Sequence, residues 1–250
     1  MLIDTHCHIH ESDYSLPVGE VIVNAKNAGV NQMICVGTSE DSSVRALEFA
    51  KIHSEAYAAI GIHPHETKDG FEVVAQLASQ TTEKLVAIGE IGLDYFYTHS
   101  PREIQIKALE AQIEVALKHN LPVIFHVREA FDDFWPIFDN FQGICGVLHS
   151  FTDSDKNLEA AVGRGLYVGV NGISTFSKDE TQRAVFASIP LNKLLLETDA
   201  PFLTPIPFRG KVNEPAYVKN IAEFHAKIRQ LSFDEISYAT TSNARALFAL

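Results

Sequence analysis

The chain has 250 residues, of which 46% are hydrophobic and 21% charged, and its formal net charge is −12. This length can form one hydrophobic core, and single α/β barrels often reach it, so we expect one domain over residues 1–250. The charge excludes a broad basic surface for nucleic acid. The sequence shows neither a long apolar run nor a signal peptide, which predicts a cytoplasmic protein with no membrane attachment.

Eight short apolar runs follow one another along the chain, and stretches of helical periodicity separate them. The runs are MLID, QMICVG, YAAIGIH, KLVAIGEIG, LPVIFHV, ICGVLHS, LYVGVNG and KLLLETD. Strands that alternate with helices and are almost continuously apolar are typical of a parallel sheet covered by helices, and eight such units predict a (β/α)8 barrel of the TIM type. An open doubly wound sheet is the alternative, but it usually has a Gly-rich first turn, and DTHCHIHESD is not one.

The clearest helical signal covers residues 103–119, where apolar side chains recur on one face. Ser100 is a candidate N-cap for this helix, with Pro101 at the first helical position and Glu103 completing a capping box. The same pattern predicts two further capping boxes, Ser177 with Glu180 and Ser232 with Glu235.

The three cysteines, Cys7, Cys35 and Cys145, lie in apolar strand-like segments without C-x-x-C spacing. Their odd number cannot pair off internally, so we expect reduced structural thiols. Cys7 stands between His6 and His8, but alternation along a strand turns it to the opposite face. It is therefore not counted as a metal ligand.

Polar residues close the apolar runs. They are His6 and His8, Gly37 with Thr38, His63, Glu90, His126, His149, Asn171 and Asp199. In a parallel barrel these positions share the carboxyl-terminal face, where catalytic groups of this fold lie. Imidazole and carboxylate together suit zinc, manganese or similar divalent ions, and a carboxylate can join two of them. The pattern therefore predicts a centre for two divalent ions.

A single histidine at a strand end is more often a hydrogen-bonded core or rim residue than a ligand, and the metal prediction depends on the whole set. Packed or solvated positions are expected for the histidines in helical stretches, His53, His119 and His225, and for His99 ahead of a helix. His10 receives no assignment.

The ordered motifs DTHCH, GIHPH, IGEIGLDYF, FHVR, LHSF and ETDAPFL resemble those of the TatD-type metal-dependent deoxyribonucleases, in the wider amidohydrolase superfamily. The resemblance extends from residue 4 to the closing TTSNARALF. It implies a (β/α)8 barrel with a hydrolase site for two divalent ions, whose identity as Zn, Mg or Mn stays open.

Carried over to this chain, the resemblance implies one ion held by His6, His8 and Asp199, a second held by His126 and His149, and Glu90 as a bridge between them. Many amidohydrolase relatives use a carboxylated lysine as the bridge. Lys84, at the start of the fourth run, is too far from the strand end for that role.

The expected reaction is hydrolysis of a phosphodiester by a metal-activated water, with Asp199, Glu90 and His63 as the catalytic residues. Asp199 orients the water and accepts its proton, and His63 contacts a phosphate oxygen. Glu197 is expected to orient a neighbouring histidine. Rim cations would bind the nucleic-acid backbone, with Arg128 and Arg209 as the best candidates beside Lys178 and Lys211.

The expected substrate is single-stranded DNA, because unpaired bases could stack on the rings of Tyr95, Phe96 and Tyr97. No obligate protein partner is evident. Two alternatives remain open: an amidase or lactonase that uses the same ions on a carbonyl, and a metal-dependent binding module without catalysis.

Overall fold

The computed structural model describes residues 1–80 and 82–250. The strands are β1 (Leu2–Cys7), β2 (Val30–Val36), β3 (Ala56–Ile60), β4 (Leu85–Asp94), β5 (Val123–Arg128), β6 (Gly146–Leu148), β7 (Tyr167–Val170) and β8 (Leu194–Leu196). The α-helices are α1 (Val18–Asn27), α2 (Glu40–Ile52), α3 (Val73–Ser79), α4 (Arg102–His119), α5 (Phe131–Asp139), α6 (Asp155–Gly163), α7 (Ile173–Phe176), α8 (Glu180–Ser188), α9 (Val218–Arg229) and α10 (Phe233–Phe248).

The strands form one eight-stranded sheet in the order β1 to β8, so each strand neighbours the next one along the chain. Neighbours pair in parallel, as in β4 with β5 and β7 with β8. Every residue of β1 and β4 is buried, as expected for strands of a parallel sheet covered by helices. This topology confirms the predicted (β/α)8 fold class.

Contacts along the chain define two compact units, residues 1–34 with 150–250, and residues 35–149. In the first, α10 packs on β1 and β8. In the second, the rings of Phe125 on β5 and Phe134 on α5 meet edge to face at 5.1 Å. A single domain over residues 1–250 stays a prediction.

The structure confirms one predicted capping box and corrects two. Ser232 caps α10 and forms the box with Glu235. The N-cap of α4 is Pro101, because the Ser100 hydroxyl donates to the carbonyl of His65 at 2.7 Å instead. Ser177 is also wrong, since α8 begins after Asp179, whose carboxylate accepts the N–H groups of Thr181 and Gln182.

All three cysteines are free thiols. Cys7 and Cys35 are buried, as predicted, whereas Cys145 is exposed because it lies immediately before β6 and not inside the strand. In the part of the chain that the structure describes, no helix combines the length and apolarity needed to cross a membrane.

Candidate metal centre

Three predicted ligands, His6, His8 and Asp199, come together in the unit formed by residues 1–34 and 150–250, and we call them the first cluster. The Nε2 atoms of His6 and His8 are 3.1 Å apart. Asp199 Oδ1 lies 3.6 Å from His6 Nε2 and 3.3 Å from His8 Nε2. Three donor atoms therefore converge on one small region.

Backbone pairing holds the first cluster in place. The N–H of Asp199 donates to the carbonyl of His6 at 2.8 Å, and the N–H of His8 donates to the carbonyl of Ala200 at 2.7 Å. Asp199 has a φ of 58°, a left-handed conformation that aspartate tolerates better than most residues. Cys7 turns away, with its Sγ 3.5 Å from the carbonyl of Ile34 on β2, in agreement with alternation along β1.

A second set of ligand candidates lies in the unit formed by residues 35–149, and we call it the second cluster: His63, Glu90, His126 and His149. Glu90 Oε1 lies 2.8 Å from His126 Nδ1, 3.2 Å from His149 Nε2 and 3.6 Å from His63 Nε2. Glu90 is almost fully buried. Its oxygen is thus the common neighbour of three imidazoles.

The charge state of Glu90 follows from these neighbours. Burial by itself would raise the pKa of its carboxyl, but His149, His63 and the hydrogen bond from His126 outweigh burial and hold that pKa well below its usual range. Glu90 is therefore an ionised, buried carboxylate, which requires compensating positive charge.

The contacts of His63 show which of its two ring nitrogens carries the proton. The backbone N–H of His65 donates to His63 Nδ1 at 3.2 Å, so the proton of a neutral His63 ring lies on Nε2. Burial, and then the adjacent His126, lowers the pKa of His63 well below its usual value. His63 is therefore a neutral N–H donor, which suits a contact to substrate better than ligation of a metal.

Sequence reasoning missed two residues of this region, His65 and Asp94. β4 continues four residues beyond Glu90, because it pairs with β5 as far as Asp94 opposite Arg128. Asp94 Oδ2 lies 3.0 Å from the Nε2 atoms of both His65 and His126. Burial alone would raise the pKa of Asp94, but the hydrogen bonds from His126 and the N–H of Tyr97 outweigh it and lower the pKa strongly.

Two sequence signals could have revealed these residues. Glu90 and Asp94 are four positions apart on one strand, which places them on the same face. His63 and His65 have the same spacing as His6 and His8.

Gly92, between Glu90 and Asp94, allows β4 and β5 to approach closely. It has a φ of 153°, and a Cβ at this position would collide with the carbonyl oxygen of His126. Only glycine meets both conditions, so this residue sets the distance between the second-cluster strands.

The donor sets fit divalent ions. Imidazole nitrogens and carboxylate oxygens are ligands of zinc and similar ions, with bonds of about 2.0–2.2 Å. The separations of 3.1–3.6 Å within the first cluster are those of neighbouring ligands around one such ion. In the second cluster, His63, Glu90 and His126 each bring one ligand atom to within 4.8 Å of the others.

The two arginines predicted to contact substrate are both exposed and both stack on rings. Arg128 Cζ lies 3.8 Å from the ring centroid of Phe96 and 5.1 Å from that of Tyr97. Arg209 Cζ lies 3.8 Å from the ring centroid of Phe176, and its Nη1 donates to the carbonyl of Thr204 at 2.9 Å. Their contact with substrate stays a prediction.

The remaining predicted residues contact backbone groups, lie at the surface or are buried. Glu197 Oε1 accepts the backbone N–H of Ser150 at 2.6 Å, and Lys178 and Lys211 are exposed. His225 is fully buried in α9, as predicted for a packed histidine, whereas His10 is buried with its Nε2 3.4 Å from Glu11 Oε1.

The fold and the histidine-carboxylate clusters define a metal-dependent hydrolase of the barrel type. The family model of the TatD related DNases matches residues 3–249. The chain belongs to this family, as the sequence motifs predicted, and it is a metal-dependent hydrolase.

Individual relatives agree with this assignment over 98% or more of their length. The chain is 39% identical to the uncharacterized metal-dependent hydrolase YabD of Bacillus subtilis (strain 168), with 100% of each chain covered. It is 33% identical to the 3'-5' ssDNA/RNA exonuclease TatD of Salmonella typhimurium (strain LT2), over 99% of this chain and 98% of the relative. The crystal structure of YjjV, a TatD homologue from Escherichia coli K12, superposes with a TM-score of 0.93 at 32% identity, over 100% of this chain and 98% of that one.

Proposed function

We propose that this hydrolase cleaves phosphodiester bonds in single-stranded DNA. The observation that carries the proposal is the exposed stack of Arg128 on Phe96 and Tyr97, because Arg128 follows His126 by two residues on β5. The exonuclease name of the Salmonella relative supports the same substrate class.

In this proposal His6, His8 and Asp199 would hold one divalent ion, and His126 and His149 would hold another. Glu90 as a ligand shared by both ions stays a prediction from the family resemblance. Divalent ions held there would lower the pKa of a water molecule and would stabilise charge on the attacking and leaving oxygens. Zn, Mg and Mn are the candidates.

His63 supplies a hydrogen bond to the substrate. Its Nε2 carries the ring proton, and the lowered pKa keeps the imidazole neutral at physiological pH. A neutral N–H donor can contact a phosphate oxygen throughout the reaction without changing its own charge. His63 therefore orients the phosphate.

Asp199 acts on the attacking water. Its carboxylate is only partly exposed, and its Oδ1 lies within 3.6 Å of both histidines of the first cluster. A carboxylate fixed in this way can accept the proton that the water loses as it attacks phosphorus.

The Arg128 stack gives the substrate bases and phosphates a place to bind. Phe96 and Tyr97 are 49% and 42% exposed, which is unusual for large rings, so part of each ring stays accessible beside Arg128. A cavity of about 500 Å³ adjoins Tyr97 and is also lined by His99 and Ser100. Unpaired bases stack on aromatic faces, whereas paired bases cannot reach them.

The decisive experiment compares substrates. Protein loaded with Mn²⁺ or Zn²⁺ should cleave end-labelled single-stranded DNA faster than duplex DNA, and label at either end distinguishes cleavage from a terminus from internal cleavage. RNA, lactones and amides complete the panel. Turnover of a lactone or an amide without turnover of any oligonucleotide would reject the proposal in favour of a carbonyl hydrolase.

A double variant tests whether the two exposed arginines bind the nucleic-acid backbone. Arg128→Ala with Arg209→Ala should raise KM for oligonucleotides several-fold and reduce the salt dependence of cleavage, because each lost phosphate contact lowers the salt slope by about one counterion. Hydrolysis of a small uncharged ester should be unchanged. The matched control, Lys118→Ala with Lys156→Ala, removes the same charge from exposed helical positions. Equal effects of the two double variants would show that only net charge matters.

A further inference from the structure

Asp94 is a buried carboxylate at the end of β4 whose contacts use both oxygens. Its Oδ1 accepts the backbone N–H groups of Phe96 at 3.0 Å and Tyr97 at 3.1 Å. Its Oδ2 faces His65 Nε2 and His126 Nε2, each at 3.0 Å. Four donors therefore surround one carboxylate.

Helix α4 fixes the carboxylate through its backbone. The N–H of Asp94 donates to Gln105 Oε1 at 2.9 Å, and Gln105 Nε2 donates to the carbonyls of Asp94 at 3.1 Å and Ser100 at 3.0 Å. Gln105 is itself buried. Because every polar atom of this amide is used, Asp94 has little freedom to rotate away from the two histidines.

An ionised carboxylate can only accept hydrogen bonds, so each imidazole that contacts Oδ2 must present an N–H there. For His126 this places a hydrogen on Nε2. Its other nitrogen, Nδ1, is then the atom that faces Glu90 Oε1 at 2.8 Å. Two acceptors at this distance need a cation or a second ring proton between them.

We propose that Asp94 is a positioning residue that fixes the ring of His126 with hydrogen on Nε2 and Nδ1 directed to the metal. A hydrogen-bond acceptor behind a metal-binding histidine sets both the ring orientation and the tautomer. His65 also contacts Oδ2 of Asp94, but this contact does not change which nitrogen of His126 carries the hydrogen. The inference rests on the proposed role of His126 as a ligand and does not depend on the substrate.

The substitution Asp94→Asn tests this role sharply. Oδ1 accepts two backbone N–H groups, so the amide oxygen of the variant should occupy that position. Its NH₂ group then takes the place of Oδ2 and presents donors to His126. The ring should respond by placing its hydrogen on Nδ1, the atom that should face the metal.

The first measurement is the ¹⁵N NMR spectrum of histidine-labelled, metal-free protein, with the His126 signals identified from a His126→Gln variant. Without metal, the original protein should show hydrogen on Nε2 of His126 and a second hydrogen on Nδ1 opposite Glu90, and Asp94→Asn should remove the hydrogen from Nε2 while the one on Nδ1 stays. A His126 Nε2 without hydrogen in the original protein would overturn the proposal, and this arm holds even if the variant does not fold.

The second measurement is Mn²⁺ binding by calorimetry. Loss of a partner behind a metal-ligating histidine costs roughly 10- to 100-fold in metal affinity, so Asp94→Asn should weaken one of two binding events by that factor. Unchanged affinity in a folded variant would also overturn the proposal. Loss of oligonucleotide cleavage alone would address the proposed function and not this inference.

Two control variants isolate Asp94. Asp133→Asn makes the same chemical change at a carboxylate that pairs with Arg102 and Tyr95, and it should leave the His126 spectrum and Mn²⁺ affinity unchanged. His65→Phe removes the other imidazole from Oδ2, and His126 should keep its hydrogen on Nε2. A tautomer change in His65→Phe would assign the positioning role to His65 instead of Asp94.

Discussion

The two histidine clusters are held by different means. In the first, His6 and His8 come from one strand, and backbone hydrogen bonds to residues 199 and 200 bring Asp199 beside them. In the second, His126 and Glu90 come from different strands, and His126 contacts the side chain of Asp94, a residue that in turn contacts His65 and Gln105. A cluster built on the backbone should tolerate changes around it, whereas one built on side-chain contacts should not.

The largest expected effect concerns the carboxylate of the first cluster. Asp199→Asn should lower kcat by about 10²- to 10⁴-fold, because it removes the group that accepts the proton of the attacking water. Substrate binding should survive. Steady-state kinetics check this split, and a variant with normal kcat and a raised KM would show that Asp199 only binds substrate.

Metal content tests whether the clusters act separately. His6→Ala with His8→Ala should remove one ion of up to two, because both substitutions empty the first cluster, while the second cluster keeps its ligands. Glu90→Gln should weaken both ions if this residue is shared. Elemental analysis measures the stoichiometry, and full occupancy of two ions in Glu90→Gln would exclude a shared carboxylate.

His225 lies outside both clusters and is fully buried, so it differs from the ligand candidates in having a structural role. Burial, and then the nearby Arg229, lowers its pKa from 6.5 to about 3. As the pH falls below 6.5, the ring gains a proton in the unfolded chain but stays neutral in the folded protein until about pH 3. The contribution of His225 to the free energy of unfolding is therefore complete above pH 6.5 and is lost as the pH falls toward 3. The loss is on the order of 3–5 kcal/mol over this window.

The substitution His225→Gln should reduce that dependence. Denaturant unfolding at several pH values between 6.5 and 4 measures the slope, which should be smaller in the variant even if the variant is less stable at neutral pH. An unchanged slope would assign the acid sensitivity of folding to other groups.

The smallest expected effect tests the strand phase of the first cluster. Cys7→Ser should leave metal content and kcat within about twofold of the original values, because its side chain points toward Ile34 and away from the ligands. Some stability should be lost, since a buried thiol becomes a hydroxyl. Loss of an ion in this variant would contradict the orientation of β1.

The sequence alone determined the fold class, the family and the residues of the first cluster. Eight apolar runs separated by helices permit few topologies, and two histidines at alternate positions of one strand must share a face. The fold class and the shared face of His6 and His8 need only local periodicity, whereas the family came from the resemblance of the ordered motifs. The capping of α10 by Ser232 and Glu235 could be predicted for the same reason, because all of its partners lie within four residues.

Tertiary structure decided the rest. Ser100 was expected to cap α4, but its hydroxyl contacts the carbonyl of His65, 35 positions away in the chain. Asp94 and His65 gained their roles from contacts between β4, β5 and the segment after β3, where pairing extends β4 beyond Glu90. Hydrogen bonds between residues 29 to 32 positions apart join these imidazoles to Asp94, and local periodicity carries no information about such pairs.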